Sequence, residues 1–467
     1  MKRVFGFLLV LILLGATLLG VTAFSLIKES DNVTFTAVDE WGDRGYLRGL
    51  TAEMNFSFQE KLNWRVKFIP FEKTETEYDY DTIYPLYVKG GNNYIGFAMP
   101  SLGLIELKNE NPELKALVDE LKAQTAESGE MTAKEIKFRD YYEYYPVYVD
   151  LYLPGITIDW QRGFGADERG QYSFGGISAE RGQGFINAFR EYFRVPVSES
   201  DVCEIKVMPS EHNGISYHSS RDNSFDFSFR DVRTENTVYF TFDNEIYNHE
   251  GKRELVDTSL IPGGYGIYAL PYSKNDIKYE ELRTVYSIPS DANVESFSVD
   301  EERKELYLGL QENEKFVLHV IDIATMTDKT VIELFDFTCD DFVRVSQNED
   351  FFVFIKNDID FNVVSSDDDG KWKSALTGTM PAGSSVHREY FSYDSSFAFD
   401  GERLVVWVFE QPGMEDTQIL SLQPDVMVFT ENGLQYYCKW LCSLGDPVAN
   451  VVRWEAVSVG EWRIMLQ

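Results

Sequence analysis

The sequence predicts an all-β fold with two helical insertions in its N-terminal half and an N-terminal transmembrane or signal helix. Three observations carry that prediction. Aromatic residues reach 15%, strand–turn–strand units recur through the C-terminal half, and Asp-Gly and Asn-Gly pairs stand where hairpins need them. The 467 residues include 77 Asp+Glu against 43 Lys+Arg, a formal net charge of −34, with 44% hydrophobic and 26% charged residues. This composition supports a large packed core and excludes a disordered chain. The acidic excess argues strongly against nucleic acid as a partner, because that binding needs clustered Lys and Arg. It argues equally against polybasic attachment to anionic lipid.

Met1-Lys2-Arg3 is a short basic start, followed by an uncharged run of 24 residues from Val4 to Ile27. About 20 apolar residues cross a bilayer, so residues 1–27 are expected to form a signal anchor or signal peptide. Lys2 and Arg3 face the mixed flank Lys28, Glu29 and Asp31, which places the remaining residues 28–467 outside the membrane. Val21-Thr22-Ala23 offers a cleavage site, so a secreted product cut after Ala23 stands beside the anchored form.

Phe35–Val38, Phe56–Phe58, Trp64–Ile69, Ile83–Val88 and Tyr94–Met99 read as strands. Two helical insertions follow, near residues 111–145 and 178–194. Asn111 caps a helix over Pro112–Ala123, with Leu114, Leu117, Val118 and Leu121 on one face. Ser178 caps a second helix reaching about Phe193, with Ile186, Phe189 and Phe193 inward. Between them, Tyr141, Tyr142, Tyr144, Tyr145, Tyr148 and Tyr152 precede Trp160. Aromatic faces beside carboxylates suit sugars or cations, whereas a half-buried strand over Val147–Leu153 would use the same rings for packing. Strands resume with Phe225, Phe227 and Phe229 and with Tyr239–Phe242, and Gly263-Gly264-Tyr265-Gly266 forms a loop.

The C-terminal half is regular. Phe297–Val299, Leu306–Leu310, Phe316–Ile323 and Val331–Phe335 make one four-strand unit. The layout restarts at Val343–Val345 with Phe351–Ile355, and again at Phe397–Phe399 with Leu404–Phe409 across a tight Asp400-Gly401 turn. Val426–Phe429 and Leu434–Trp440 form a further hairpin around Asn432-Gly433. The restarts are spaced by 46 and 54 residues, the period of four-stranded blades that must stack to bury both faces. The expected architecture for residues 28–467 is therefore an extracytoplasmic β-propeller-like domain of seven or eight blades.

Val320-Ile321-Asp322-Ile323-Ala324-Thr325 resembles the third strand and turn of bacterial extracytoplasmic β-propeller repeats. Ser365-Ser366-Asp367-Asp368-Asp369-Gly370-Lys371-Trp372 resembles the Asp-box turn of sialidase-type propellers. Ser365, Asp367 and Trp372 fit that box, while Asp369 replaces its Gly and Lys371 its Thr. In that family the box is a structural turn, so the resemblance implies fold and no sialidase chemistry.

Cys203 and Cys339 stand alone, and Cys438 and Cys442 are four apart, about 13 Å on a regular strand and too far for a disulfide, which only a turn between them would allow. Free thiols packed in the core are expected. Glu211, His212 and His218 combine two imidazoles and a carboxylate but match no metal-binding spacing, and His249, His319 and His387 are scattered. Asp367-Asp368-Asp369 is a run of oxygen ligands without the EF-hand pattern. Gly175-Gly176 and Gly182-x-Gly184 match no phosphate-binding loop, and Gly176-Ile177-Ser178-Ala179-Glu180 lacks the last Gly of a nucleophile elbow. Asp140 with Glu143, and Asp150 with Asp159, are carboxylate pairs of the kind glycoside hydrolysis uses. No catalytic, metal-binding or cofactor-binding residue is assigned. Asn32-Val33-Thr34 and Asn55-Phe56-Ser57 are glycosylation acceptors only in a eukaryotic host. The expected function is a binding module for a protein segment or glycan at the cell surface, held to the membrane by its N-terminal helix. A glycan-acting hydrolase or lyase, and a structural subunit of a membrane complex, are the alternatives.

Overall fold

A computed structural model describes residues 15, 17, 33–58, 62–72, 74–80, 111–161, 171–209, 215–220, 229–247, 253–338, 341–348, 350–367, 369–381, 395–409, 424–445 and 458–466. The N-terminal apolar run apart from Gly15 and Thr17, the strands expected at Ile83–Val88 and Tyr94–Met99, Phe225 and Phe227 lie outside the described residues. Among the described residues no helix is long and apolar enough to cross a membrane. The chain divides into two compact units, residues 1–91 with 340–467, and residues 92–339.

In the first unit, both ends of the chain enter the same sheets. Leu50–Phe58 pairs on one side with Leu62–Phe68, followed by Glu75–Tyr80, and on the other with Ser458–Leu466 near the C-terminus. Phe35–Gly42 pairs with Gly433–Cys442, which continues through Pro424–Thr430, Leu404–Phe409 and Ser395–Phe399. The N-terminal strand thus makes the last C-terminal sheet five-stranded where four strands are expected. Met54, Phe56, Trp64, Trp407 and Trp440 from these sheets share one buried core. A second core forms around Val353, Phe361, Val406 and Phe429, fed by the four-stranded sheet Val343–Gln347, Phe351–Lys356, Asp360–Ser366 and Trp372–Thr379.

The second unit holds both helices. Helix α1, Pro112–Ser128, is capped by Asn111, whose side chain accepts from the amides of Glu113 and Leu114. It runs one turn past the expected Ala123 and stops at Gly129, whose φ of +69° closes the last turn. Its face of Leu114, Leu117, Val118 and Leu121 is buried, and it lies on the sheet of Thr132–Lys137, Val202–Pro209 and Ile215–Ser220. Helix α2, Ala179–Tyr192, starts at Ser178, which accepts from Arg181 N. Its inward Phe185, Ile186 and Phe189 join Phe193 in a cluster with Phe229, Phe240 and Tyr268. Leu151–Leu153, Ile156–Gln161 and Gln171–Gly175 form a small sheet beside it.

Phe229–Arg233, Thr237–Phe242 and Gly266–Ser273 form a further sheet, whose last strand also pairs with Asp276–Ile277 and Arg283–Ser287. The repeat expected from Phe297 folds as four antiparallel strands: Asn293–Asp300, Glu305–Glu312, Lys315–Asp322 and Thr327–Asp336. In it, Glu305 is buried with Lys329 Nζ at 2.5 Å and Tyr307 Oη at 2.9 Å, so two donors offset its desolvation.

Two expectations change. Phe399 pairs directly with Leu404, so Asp400-Gly401 belongs to a four-residue loop rather than a two-residue hairpin. Asp400 Oδ1 accepts from the amides of Glu402 and Arg403, and Arg403 reaches the carbonyls of Tyr46 and Arg48, which holds the wider loop. The strand expected over Val147–Leu153 is confined to Leu151–Leu153. Upstream, the segment is held instead by the Tyr145 N bond to Val195 O and by Arg190 Nε donating to Val147 O at 2.7 Å.

Replacing Lys329→Met removes the cation and leaves the Glu305 carboxylate buried beside one phenol. Equilibrium urea unfolding should show a loss of about 2–4 kcal/mol. An unchanged midpoint would mean the ion pair does not support the sheet.

Candidate functional site

Most residues singled out by sequence turn out to hold the fold. In the Asp-box-like turn, Asp367 Oδ1 accepts from the amides of Asp369 at 3.1 Å and Lys371 at 2.9 Å, and Gly370 takes φ +75°. Trp372 after it is buried against Phe352, with ring centroids 5.3 Å apart. A carboxylate oxygen bonded to the backbone in this way closes a loop, the structural role the resemblance implies. Gly176 stands where a Cβ would meet Gly155 O at 1.7 Å. A Cβ at Gly182 would fall 2.2 Å from the Phe174 ring, so this glycine seats α2 on its neighbouring strand.

The tyrosine run divides. Tyr145 and Tyr148 are buried, Tyr142 stacks on Phe138 at 4.8 Å, and Arg190 lies over Tyr148. Tyr152 donates to Asp159 Oδ1 at 2.8 Å, and burial with that carboxylate pushes its phenol up to about 12. Asp140 and Glu143, which flank Tyr141 and Tyr142, are exposed. The run packs one wall of the core rather than presenting an open aromatic platform. Cys438 and Cys442 are buried free thiols, and burial pushes the Cys438 thiol up to about 11. Asn55 is buried in a central strand, so its sequon is closed to glycosylation. Glu211, His212, His249, Cys339, Asp368 and His387 lie outside the described residues, as do the side chains of Trp160, Cys203 and His218. Among the described residues no cluster of three His, Cys, Asp or Glu could hold a metal.

Tertiary structure assembles two groups that the sequence left apart. His319, buried in the strand Lys315–Asp322, has Nδ1 at 3.2 Å from Asp328 Oδ1 and at 3.1 Å from Tyr286 Oη. Its Nε2 stands 3.5 Å from Glu312 Oε1. Tyr286 comes from Arg283–Ser287 in the adjoining sheet and reaches both Asp328 oxygens, at 3.0 and 3.1 Å. Burial and the Asp328 charge raise its phenol above the ordinary tyrosine range. The quartet ties two sheets through one polar contact.

The second group lies on Phe229–Arg233, an edge strand whose neighbour within its sheet is Thr237–Phe242. Phe229 anchors it in the aromatic cluster, and Arg230 is 3.5 Å from Asp243. Asp231 is paired across the ladder with Phe240, and burial pushes its carboxyl up to about 7 against the opposing pull of Arg233. Arg233 Nη1 is buried without a hydrogen-bond partner. Asp231 and Arg233 alternate on one face of this strand, which places the cation where it opposes the rise. No motif marks Asp231; alternation with Arg233 along one strand was the available signal.

No protein-family model matches the chain, and no curated protein matches it in sequence. Similar solved structures include the WD40 domain of SCAP from fission yeast, 10% identical over 88% of this chain and 90% of that one, with a TM-score of 0.26. The β-propeller domain of Cps50 (Swd1) from Myceliophteria thermophila is 8% identical over 53% and 83%, with a TM-score of 0.24. A chain of the S. cerevisiae Dbp5 complex with Nup159, Gle1, IP6 and ADP is 11% identical over 53% of this chain, with a TM-score of 0.24. The chain spans 58% of that last structure's length. Likeness at this level bears on neither activity nor partners.

Asp231 makes stability depend on pH with a definite sign. The folded carboxyl keeps its proton to about pH 7. An unfolded one ionises near pH 4, so stability falls as pH rises between these values. Asp231→Asn should be more stable than the wild type by about 1–2 kcal/mol at pH 8 and indistinguishable at pH 4, read by chemical unfolding at both values. Separately, Tyr286→Phe should cost about 1 kcal/mol by removing the donor to Asp328. A neutral result would show that the phenol contact does not couple the two sheets.

Proposed function

We propose that this chain is a membrane-anchored, extracytoplasmic binding module that recognises a protein segment or glycan and does no chemistry. In this reading residues 1–27 hold it to the membrane, or are cut after Ala23, and residues 28–467 form a β-propeller-like domain of seven or eight blades. The observation that carries it is a net charge of −34 together with apolar side chains left open on a sheet edge, where Val38 is 59% and Trp41 58% exposed. Charge of that size steers cationic groups toward the surface and repels polyanions, and exposed apolar groups give an arriving partner something to bury. The basic start and the 24-residue apolar run support export.

A second reading, a glycan-acting hydrolase or lyase on the same scaffold, is favoured by Asp231 alone. A carboxyl titrating near 7 has the property required of a general acid. If it is right, Asp231→Asn should abolish release of reducing ends from a glycan panel while the protein stays folded.

A thermal-shift screen of the purified full chain against Ca²⁺, EDTA, a glycan panel and cationic peptides tests the binding reading. A ligand at about 100 times its dissociation constant adds roughly 2.7 kcal/mol, a shift of a few degrees. A cooperative melt with no shift across the panel would sink it. A C-terminal reporter that is active only outside the cytoplasm should be active when fused to the full chain; an inactive fusion would overturn the topology.

A further inference from the structure

We propose that the outer edge of the strand Phe35–Gly42 is a docking edge that accepts an extended, cationic segment of a partner protein as an added antiparallel strand. The proposal rests on the binding reading above and names its partner class. Phe35–Gly42 is the terminal strand of its five-stranded sheet: one edge is bonded to Gly433–Cys442, and no described strand pairs with the other. An edge strand presents half its backbone donors and acceptors outward, so main-chain bonds to a partner are available along it.

The strand is held rigidly from behind. Phe35 and Ala37 pack against the core of the unit. Glu40 takes two bonds from Arg44, at 2.6 and 2.5 Å, and one from Tyr436 Oη at 2.8 Å. At its end Gly42 has φ +91°, and a Cβ there would meet Gln435 O at 2.1 Å, so only glycine fits this close approach to the neighbouring strand. A template already ordered in this way adds little entropy cost to binding.

What faces outward has a definite chemistry. The pairing passes from Ala37 opposite Trp440 to Asp39 opposite Lys439, which leaves Val38 as the bulged residue. Val38 and Trp41 are 59% and 58% exposed. The Glu40 carboxylate is committed to Arg44 and Tyr436, while Asp39 is exposed and makes no hydrogen bond or ion pair among the described residues. An incoming Lys or Arg can face Asp39 and lie over the Trp41 ring, and an apolar residue can cover Val38. A second copy of this chain fits poorly, because self-pairing would set acidic edge against acidic edge.

The test is fluorescence anisotropy of a labelled peptide of four Lys-Val repeats titrated with the full chain in detergent. Saturable binding is expected, weakened about tenfold or more in the Asp39→Asn, Trp41→Ser double variant. The same peptide N-methylated on alternate backbone nitrogens should lose binding, because its charge is kept and its strand-pairing donors are not. Both substituted side chains are exposed, and an unchanged melt will show that the variant is folded. Equal binding by the double variant or by the N-methylated peptide would overturn the docking edge, as would no binding by the parent peptide. In each of those cases a shift with another ligand in the thermal screen leaves the binding reading standing.

Discussion

The constraint on which the first unit depends is the pairing of the two ends of the chain. Leu50–Phe58 is bonded to Ser458–Leu466, and Phe35–Gly42 to Gly433–Cys442, across about 400 residues of sequence. Without those ladders Leu50–Phe58 would lose one of its two partners, and Trp64, Trp407 and Trp440 would lose their common core. Loop closure over such a span costs entropy before any contact repays it, so these ladders are the slow, non-local part of the unit's assembly. The second unit is drawn from one continuous stretch, and its sheets and helices close over much shorter loops.

Charge is handled differently inside and outside. The buried Glu305 has Lys329 and Tyr307, and the exposed Glu40 has Arg44 and Tyr436, so both carboxylates meet at least two donors. Asp231 is the contrasting case, a half-buried carboxyl that Arg233 only partly compensates, and its raised proton affinity is the physical result. Tyrosine plays a matching part. The phenols of Tyr286, Tyr307 and Tyr436 are raised by burial and by the carboxylates they donate to, so they stay neutral donors at ordinary pH. The large aromatic content thus supplies both the core rings and the polar ends that let acidic strands be buried.

Local chemistry explains which elements were legible in advance. Asn111 and Ser178 cap their helices as their side chains require, and the four strands after Asn293 sit where alternation places them. The failures are equally local. Asn313-Glu314 makes a two-residue hairpin with φ of +49° and +59°, a conformation that Glu does not advertise. Asp400-Gly401 looked like such a hairpin, but the Asp400 carboxylate organises a longer loop through two amides. The tyrosine run read as strand or platform, yet its backbone bonds go to Val195 and Arg190, partners no local pattern predicts.

By itself the sequence determined the mostly-β class, the helix starts, the spacing of the C-terminal sheets and the acidic charge, because caps, turns, alternation and charge act over a few residues. Tertiary structure alone decided that the N-terminal strand would extend the last C-terminal sheet, that His319 would lie between Asp328 and Glu312, and that Val38 and Trp41 would stay in water. Each of these depends on the register between strands far apart in the chain. Register is set by which side chains fill a shared core, a property of the assembled sheets that no short window of sequence contains.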